Sequence, residues 1–331
     1  MKESQRADAP DFSQDEPHIP VLLEEVLTHL RCLPDNIYID CTIGQGGHAF
    51  PLLERSAPTG FLIGLDRDLE ALEVARKILA PFHERIRLFH SDFQNLKETV
   101  SLVLTGPLEG WKIDGILFDL GFSTLQVTRA DRGFSFSHDG PLDMRMDQSR
   151  KTTAEILVNR LSPEELNDIL WKFGEERWHR EITEALVKAR TLSPITRTHQ
   201  LANIVTSALP FIALHRSPLH PATKTFQALR IAVNRELEGL DEALEGAIDL
   251  LSPGGRICVI SFHSLEDRIV KQTFKRLERG CICPPKTPRC VCGKVKRVTV
   301  LTAKPIRPSA REISFNRRAR SGRLRVAERV L

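Results

Sequence analysis

The sequence predicts a Rossmann-like α/β sheet domain interrupted by an inserted helical domain, and three observations carry that reading. Between residues 37 and 120, short apolar runs alternate with amphipathic stretches, the pattern of a parallel sheet with crossover helices. From about 131 to 216 the alternation gives way to successive helical periodicities. The pair Gly254-Gly255 then turns the chain into another apolar run, Arg256–Phe262, which restores the sheet pattern.

Taken in order, residues 1–17 are polar and read as a disordered leader. Val21, Leu22, Val26, Leu27 and Leu30 recur at helical spacing. Strands are expected at Ile37–Cys41, Phe61–Asp66, Ile86–His90 and Ile113–Leu120, with helices near 47–55, 68–80 and 94–104 between them. Ser162-Pro163-Glu164-Glu165 is a capping box with proline in the first turn. The helix it opens runs through Leu166, Ile169, Leu170 and Phe173 and stops at Gly174. A second helix surrounds Trp178, Ile182, Ala185, Leu186 and Ala189, and Thr198 caps a third. One long helix is expected from Pro221, with its apolar stripe running from Phe226 through Val233, Leu237 and Leu240 to Leu251. The expected domains are therefore 18–130 with 217–331 for the sheet, and 131–216 for the inserted helices.

The chain has 331 residues, 41% hydrophobic and 27% charged, an ordinary composition for a globular enzyme. No apolar run reaches the roughly 18 residues of a membrane span, and the polar first 17 residues lack a signal-peptide core. Seven cysteines in a chain this long do not form a secreted disulfide framework, so a cytoplasmic protein without membrane partners is expected. Charge is unevenly placed. Residues 268–331 hold 19 Lys/Arg against three acids, an excess of +16, whereas the whole chain is at +4 and the remainder is thus at −12. A basic segment of this density favours a polyanionic partner, nucleic acid above all.

The chemistry-bearing motifs lie at strand ends. Asp40-Cys41-Thr42-Ile43-Gly44-Gln45-Gly46-Gly47-His48 follows the first strand and opens a helix. Its glycines allow close backbone approach, and a helix start offers N–H groups to an anion. Asp66 ends the second strand, where a carboxylate can accept both hydroxyls of a ribose. Gly44-x-Gly46-x-x-Ala49 with this acid downstream also fits a dinucleotide fingerprint, which leaves a nicotinamide enzyme as an alternative. Asp119-Leu120-Gly121-Phe122-Ser123 puts a carboxylate, a tight turn and an aromatic ring at the end of the fourth strand. That carboxyl edge is where open α/β sheets bind ligands.

Three further groups stand out. Gln227, Arg230 and Asn234 form a polar stripe at i, i+3 and i+7, either a solvated face or a phosphate and base contact. Ser261-Phe262-His263-Ser264-Leu265-Glu266-Asp267 crowds a serine, a histidine and acids too closely for a hydrolytic triad. Ser264 with Asp267 reads instead as a helix cap, while His263, at the end of its strand, is a candidate for facing the substrate. Cys281-x-Cys283 and Cys290-x-Cys292 put four thiols within 12 residues, a set that suits structural zinc but equally free thiols in a basic loop. Cys32, Cys41 and Cys258 read as buried thiols.

Long strings of the chain resemble the ribosomal small subunit methyltransferase H (MraW) family of 16S rRNA (cytosine-N4)-methyltransferases. They include Asp40–His48, Gly64-Leu65-Asp66-Arg67-Asp68, Asp114–Gly121, Arg132-Gly133-Phe134-Ser135-Phe136, Asp139–Asp147, Gly174-Glu175-Glu176-Arg177, His220–Asn234, Ser261–Arg268 and Arg317–Glu328. The resemblance implies a class I S-adenosylmethionine-dependent methyltransferase sheet acting on a decoding-centre cytosine of 16S rRNA in the small ribosomal subunit. It places the methionine part of the cofactor at Gly46, Gly47 and His48, the ribose at Asp66 and the adenine at Phe93, with Asp119 and Gln126 completing the contacts. Asp119 would also orient the target amine, and Arg145, Gln227, Arg230 and Asn234 would meet the RNA. The chain departs from the family at Phe122, usually a smaller residue, and at Leu125, usually proline. Phe122 brings the string nearer to the Asp-Pro-Pro-Tyr type of amino-methyltransferase, whose ring stacks on the target base. Two alternatives stay open at this point, an RNA-binding factor with a vestigial cofactor fold and, as to assembly, a homodimer.

Overall fold

The computed structural model describes residues 19–104, 110–211, 219–281, 283, 289 and 291–330. The expected leader, the end of the expected helical insertion at 216 and Cys290 lie outside the described residues. The chain divides into two compact units, one of Phe122–Glu236 and one of Ile19–Gly121 with Leu237–Leu331.

The second unit is built on a seven-stranded sheet. Its strands are β1 (Ile37–Asp40), β2 (Phe61–Asp66), β3 (Ile86–His90), β4 (Ile113–Asp119), β5 (Leu251–Ser261), β6 (Val298–Val300) and β7 (Arg323–Arg329), in the order β3-β2-β1-β4-β5-β7-β6. The first five run parallel, and β7 lies antiparallel between β5 and β6. Successive side chains alternate across the sheet. Ile39, Ile63, Phe118 and Val259 therefore pack on one face with Leu244 and Phe274. Tyr38, Leu62, Leu117 and Ile260 pack on the other with Val26, Leu52 and Leu72. Burial on both faces explains why these strands read as unbroken apolar runs.

The first four strands lie where the sequence puts them, to within a residue. The capping box at Ser162 also forms: its N–H donates to Glu165 Oε2 at 2.8 Å, and Glu165 N–H donates to Ser162 Oγ at 3.2 Å. The long helix expected from Pro221 is instead two, Thr223–Asn234 and Leu240–Leu250. Arg235 (φ 53°) and Gly239 (φ 65°) both adopt left-handed backbone and break it. The first half packs in the helical unit, where Phe226, Ala228, Leu229 and Val233 join Leu166, Leu170, Ile182 and Leu186 in one core. The helix Thr223–Asn234 thus belongs to the compact unit Phe122–Glu236. Two caps also differ. Thr198 is the first residue of the helix Thr198–Ala208, and its hydroxyl accepts from Gly140 N–H at 3.0 Å and donates to His138 O at 3.2 Å. The helix Ser264–Glu278 is capped by His263 and Glu266, one residue before the expected Ser264 and Asp267, because Asp267 is held by Arg325 at 2.6 Å.

Candidate active site

The parallel strands end in acids along one edge. Asp40 closes β1, Asp66 closes β2 and Asp119 closes β4, and the sheet order puts Asp40 between the other two. The turn after β1 extends the sheet pairing, since Cys41 N–H donates to Leu117 O and Ile43 N–H to Leu65 O, each at 2.9 Å. It then folds onto Asp66, whose Oδ2 accepts from Gly44 N–H at 2.7 Å while Oδ1 accepts from Asp68 N–H at 2.8 Å. Each oxygen of a carboxylate can accept a second bond, so Asp66 is fixed by backbone and keeps capacity for a pair of hydroxyls. Gly46 must be glycine: its φ is +89°, and an added Cβ would lie 3.0 Å from Leu79 Cδ1.

Asp119 is held from two sides. Its N–H donates to Thr42 Oγ1 at 2.6 Å, and its Oδ2 lies 3.5 Å from His48 Nδ1. The buried ring of His48 has its Nε2 3.0 Å from the carbonyl of Val21. A carbonyl can only accept, so Nε2 carries a hydrogen, and Nδ1 attracts Asp119 when either group holds one more proton. Asp119 Oδ1 is buried with no hydrogen-bond partner among the described residues. Burial, then repulsion from Asp40 and Glu266, pushes the Asp119 carboxyl well above the usual carboxylate range. Burial likewise raises Asp66 despite its two backbone donors.

Asp40 was not singled out by sequence. It is 1% exposed, accepts from Thr42 N–H at 3.1 Å and is pushed up to about 7, chiefly by burial. Protons on this edge therefore oppose a cationic ligand, because binding one favours the ionised carboxylates. Affinity for a cationic cofactor is expected to rise with pH through about 7, by up to roughly tenfold per pH unit for each coupled proton. Calorimetry at pH 6 and pH 8 in buffers of different ionisation enthalpy measures this, and a flat affinity with no proton release contradicts it. The same shift acts on the unliganded fold in the opposite direction. The stability contributed by protonated Asp40 is complete below the ordinary carboxylate range and is lost as pH rises through about 7.

The other expected site residues are placed as follows. Gly47 lies in the turn before the helix Ala49–Arg55. Phe93 is 3% exposed, edge-on to Phe118 at 6.0 Å and beneath the Arg67 guanidinium at 5.2 Å. His263 accepts from Glu266 N–H as a cap, and its Nε2 lies 3.1 Å from Glu266 Oε1 but off the line of a hydrogen bond. Within the helical unit, Gln126 is buried and its Oε1 accepts from Ser123 N–H at 2.9 Å, closing the cap of the helix Thr124–Thr128. That box holds the turn which, in the resembled family, usually carries proline at position 125. Phe122 is 44% exposed, with the Arg230 guanidinium over its ring at 4.6 Å.

The polar stripe is a set of internal ties. Arg230 is bidentate to Glu236 at 2.9 and 2.8 Å and buried. Asn234 accepts from Met146 N–H and donates to Met144 O, each at 2.7 Å. Gln227 donates to Phe173 O at 3.1 Å, and Arg145 is bidentate to Asp143 at 2.9 and 2.7 Å. Sequence spacing cannot separate such ties from ligand contacts. Of the basic segment, Arg325 is tied to Asp267, while Lys271, Lys275, Arg279, Lys304, Arg307 and Arg317 are exposed. Cys281, Cys283 and Cys292 lie together in the loop before β6.

A sheet ordered β3-β2-β1-β4-β5-β7-β6 with β7 reversed, acids at the ends of β1, β2 and β4 and a glycine turn closed onto the β2 acid define a class I S-adenosylmethionine-dependent methyltransferase. The sequence profile of the MraW methylase family matches residues 15–330, and the chain belongs to that family. It is 48% identical over 313 residues to ribosomal RNA small subunit methyltransferase H of Symbiobacterium thermophilum, covering 95% of this chain and 96% of that protein. It is 50% identical over 313 residues to the protein of the same name from Geotalea uraniireducens, covering 95% and 98%.

Proposed function

We infer that the chain transfers the methyl group of S-adenosyl-L-methionine to the exocyclic N4 amine of a decoding-centre cytosine in the 16S rRNA of the small ribosomal subunit, in the cytoplasm. The name of its relatives supports the ribosomal RNA substrate. The observation that carries the amine chemistry is Asp119, a half-buried carboxyl with one oxygen against His48 and the other buried without a donor among the described residues. A carboxylate oxygen can accept more than one hydrogen bond, so the exposed part of this carboxyl can receive an amine N–H.

The cofactor fits this edge by charge and by donor set, since three acids with raised proton affinity favour a cation. When bound, it supplies an electrophilic methyl on a positively charged sulfur. Asp66 receives the ribose hydroxyls on the lone pairs its backbone donors leave, and Gly46, Gly47 and His48 hold the methionine part. Phe93 borders the adenine and Gln126 completes the cofactor side. Asp119, ionised against the positive charge, accepts an amine N–H on its carboxylate. That bond localises the nitrogen lone pair otherwise delocalised into the ring. The methyl so supplied would form the new N–C bond as its C–S bond was lost, with the electrons left on sulfur. The nitrogen then sheds a proton, and Asp119, backed by His48, takes it. Alignment of this kind contributes roughly 7–11 kcal/mol.

The exposed basic residues of 268–331 meet phosphates, and Phe122 stacks on the base with Arg230 behind its ring. Arg145, Gln227, Arg230 and Asn234 position the surface that meets the RNA through the ties they already make. His263 acts in the same way, by fixing Glu266. Phe122→Ala is expected to lower kcat/KM for small subunits by about 10–100-fold, since base–aromatic stacking contributes about 1–3 kcal/mol, with cofactor affinity unchanged. Steady-state kinetics that match the parent protein contradict the stack.

The reading is tested by incubating the protein with labelled cofactor and unmodified small subunits, then analysing nucleosides and fragments by mass spectrometry. N4-methylcytidine at one decoding-centre position is the expected result. Label on another base, or none while the cofactor binds, overturns it.

A further inference from the structure

The loop between the helix Ser264–Glu278 and β6 gathers thiols that the methyl-transfer reaction does not use. Cys281, Cys283 and Cys292 offer sulfurs that all lie within 4.8 Å of one another. The sulfurs of Cys281 and Cys292 are 3.8 Å apart. A disulfide needs about 2.05 Å, and no disulfide joins these residues. Zinc bonded to sulfur at about 2.3 Å in a tetrahedron sets its ligands about 3.8 Å apart, because the edge is about 1.63 times the centre-to-vertex distance. The observed separation is the edge of that tetrahedron.

The backbone is arranged to favour thiolates. Cys283 N–H donates to Cys281 Sγ at 3.3 Å, and Val291 N–H donates to Cys283 Sγ at 3.4 Å. Such donors stabilise the charged sulfur over the neutral thiol. Of the remaining described cysteines, Cys41 and Cys258 are buried and Cys32 is half-buried, away from this loop.

We propose that Cys281, Cys283 and Cys292 form three vertices of a tetrahedral structural zinc site, with the remaining vertex taken by a donor outside this set. On binding, three S–H bonds are lost, three Zn–S bonds form and three protons pass to solvent, with no change of oxidation state. Sulfur donors select zinc over the oxygen-seeking calcium and magnesium. The site clamps a long segment, since no helix or strand occurs among its described residues between Glu278 and Val298. Exposed Arg279, Arg289 and Lys296 are carried on it. The proposal does not depend on the methylation target.

The full chain, purified under reducing conditions, is analysed for metals by mass spectrometry, then stripped and reloaded with zinc or cobalt(II). About one zinc per chain is expected. The cobalt form is expected to show thiolate charge-transfer and tetrahedral ligand-field bands. Cys281→Ser, Cys283→Ser and Cys292→Ser should each lower zinc affinity at least about tenfold, whereas Cys32→Ser should not, and a mercurial thiol reagent should release the metal. Tryptic cleavage at Arg289 and Lys296 should rise several-fold on stripping, a readout that survives if a variant folds poorly. Parent protein without zinc and without cobalt–thiolate bands overturns the proposal. Zinc fully retained in all three serine variants, or a disulfide among these cysteines under reducing conditions, does the same.

Discussion

Asp119→Ala is expected to lower the turnover of methyl transfer by about 10²–10⁴-fold, the range for loss of a positioned proton acceptor, while cofactor affinity changes by less than about tenfold. The expectation follows from how the carboxyl is held. Thr42 fixes its backbone, His48 stands against one oxygen, and the other oxygen is buried without a partner. A residue arranged in this way contributes little to ground-state folding and much to an incoming N–H. Asp119→Asn separates orientation from proton acceptance. It keeps an oxygen to receive the amine hydrogen but has no basicity, so it should bind small subunits like the parent and remain slow at every pH. Single-turnover rates with pre-bound subunits provide the measurement. If Asp119→Asn turns over normally, the proton leaves by another route and Asp119 only orients.

The second large effect concerns stability. Glu236→Ala is expected to destabilise the helical unit by about 3–5 kcal/mol, because it leaves the Arg230 guanidinium buried without its counter-charge. Arg230 is 7% and Glu236 5% exposed, and two parallel hydrogen bonds join them. Glu236→Gln keeps one acceptor and should cost less. Chemical denaturation followed by tryptophan fluorescence reads this directly, since Trp171 and Trp178 both lie in that unit. A loss below about 1 kcal/mol for Glu236→Ala would mean that Arg230 finds other partners. Replacing both residues by apolar ones of similar volume is expected to restore much of the loss.

The strands of the sheet centre were legible because burial on both faces turns them into uninterrupted apolar runs bounded by turn residues. Two kinds of element were not. β7 reads Arg-Leu-Arg-Val-Ala-Glu-Arg, and its charges hide a strand whose Arg325 is buried against Asp267. The break at Arg235–Gly239 was hidden because Val233, Leu237 and Leu240 keep helical spacing across it, with Gly239 the one residue hinting at a stop. At the site, Asp66 and Asp119 were legible as acids at strand ends. Asp40 was not, because its high proton affinity arises from burial and from Asp66, which only the sheet order brings near. The roles expected of Arg230 and Asn234 could not be told from composition either. A polar stripe looks the same in sequence whether it faces solvent or closes on Glu236 and the Met144–Met146 segment.

Because β4 ends at Asp119 and its neighbour β5 begins only at Leu251, a nascent chain carries a half-built sheet for a considerable time. At about 5–20 residues per second of synthesis, roughly ten seconds separate the emergence of the two strands. Throughout that interval the apolar flank of β4 is an uncovered edge, open to pairing with the wrong strand. The intervening segment has a core of its own and can settle while the edge waits. Of the strands at the sheet centre, β4 thus waits longest in synthesis for its neighbour.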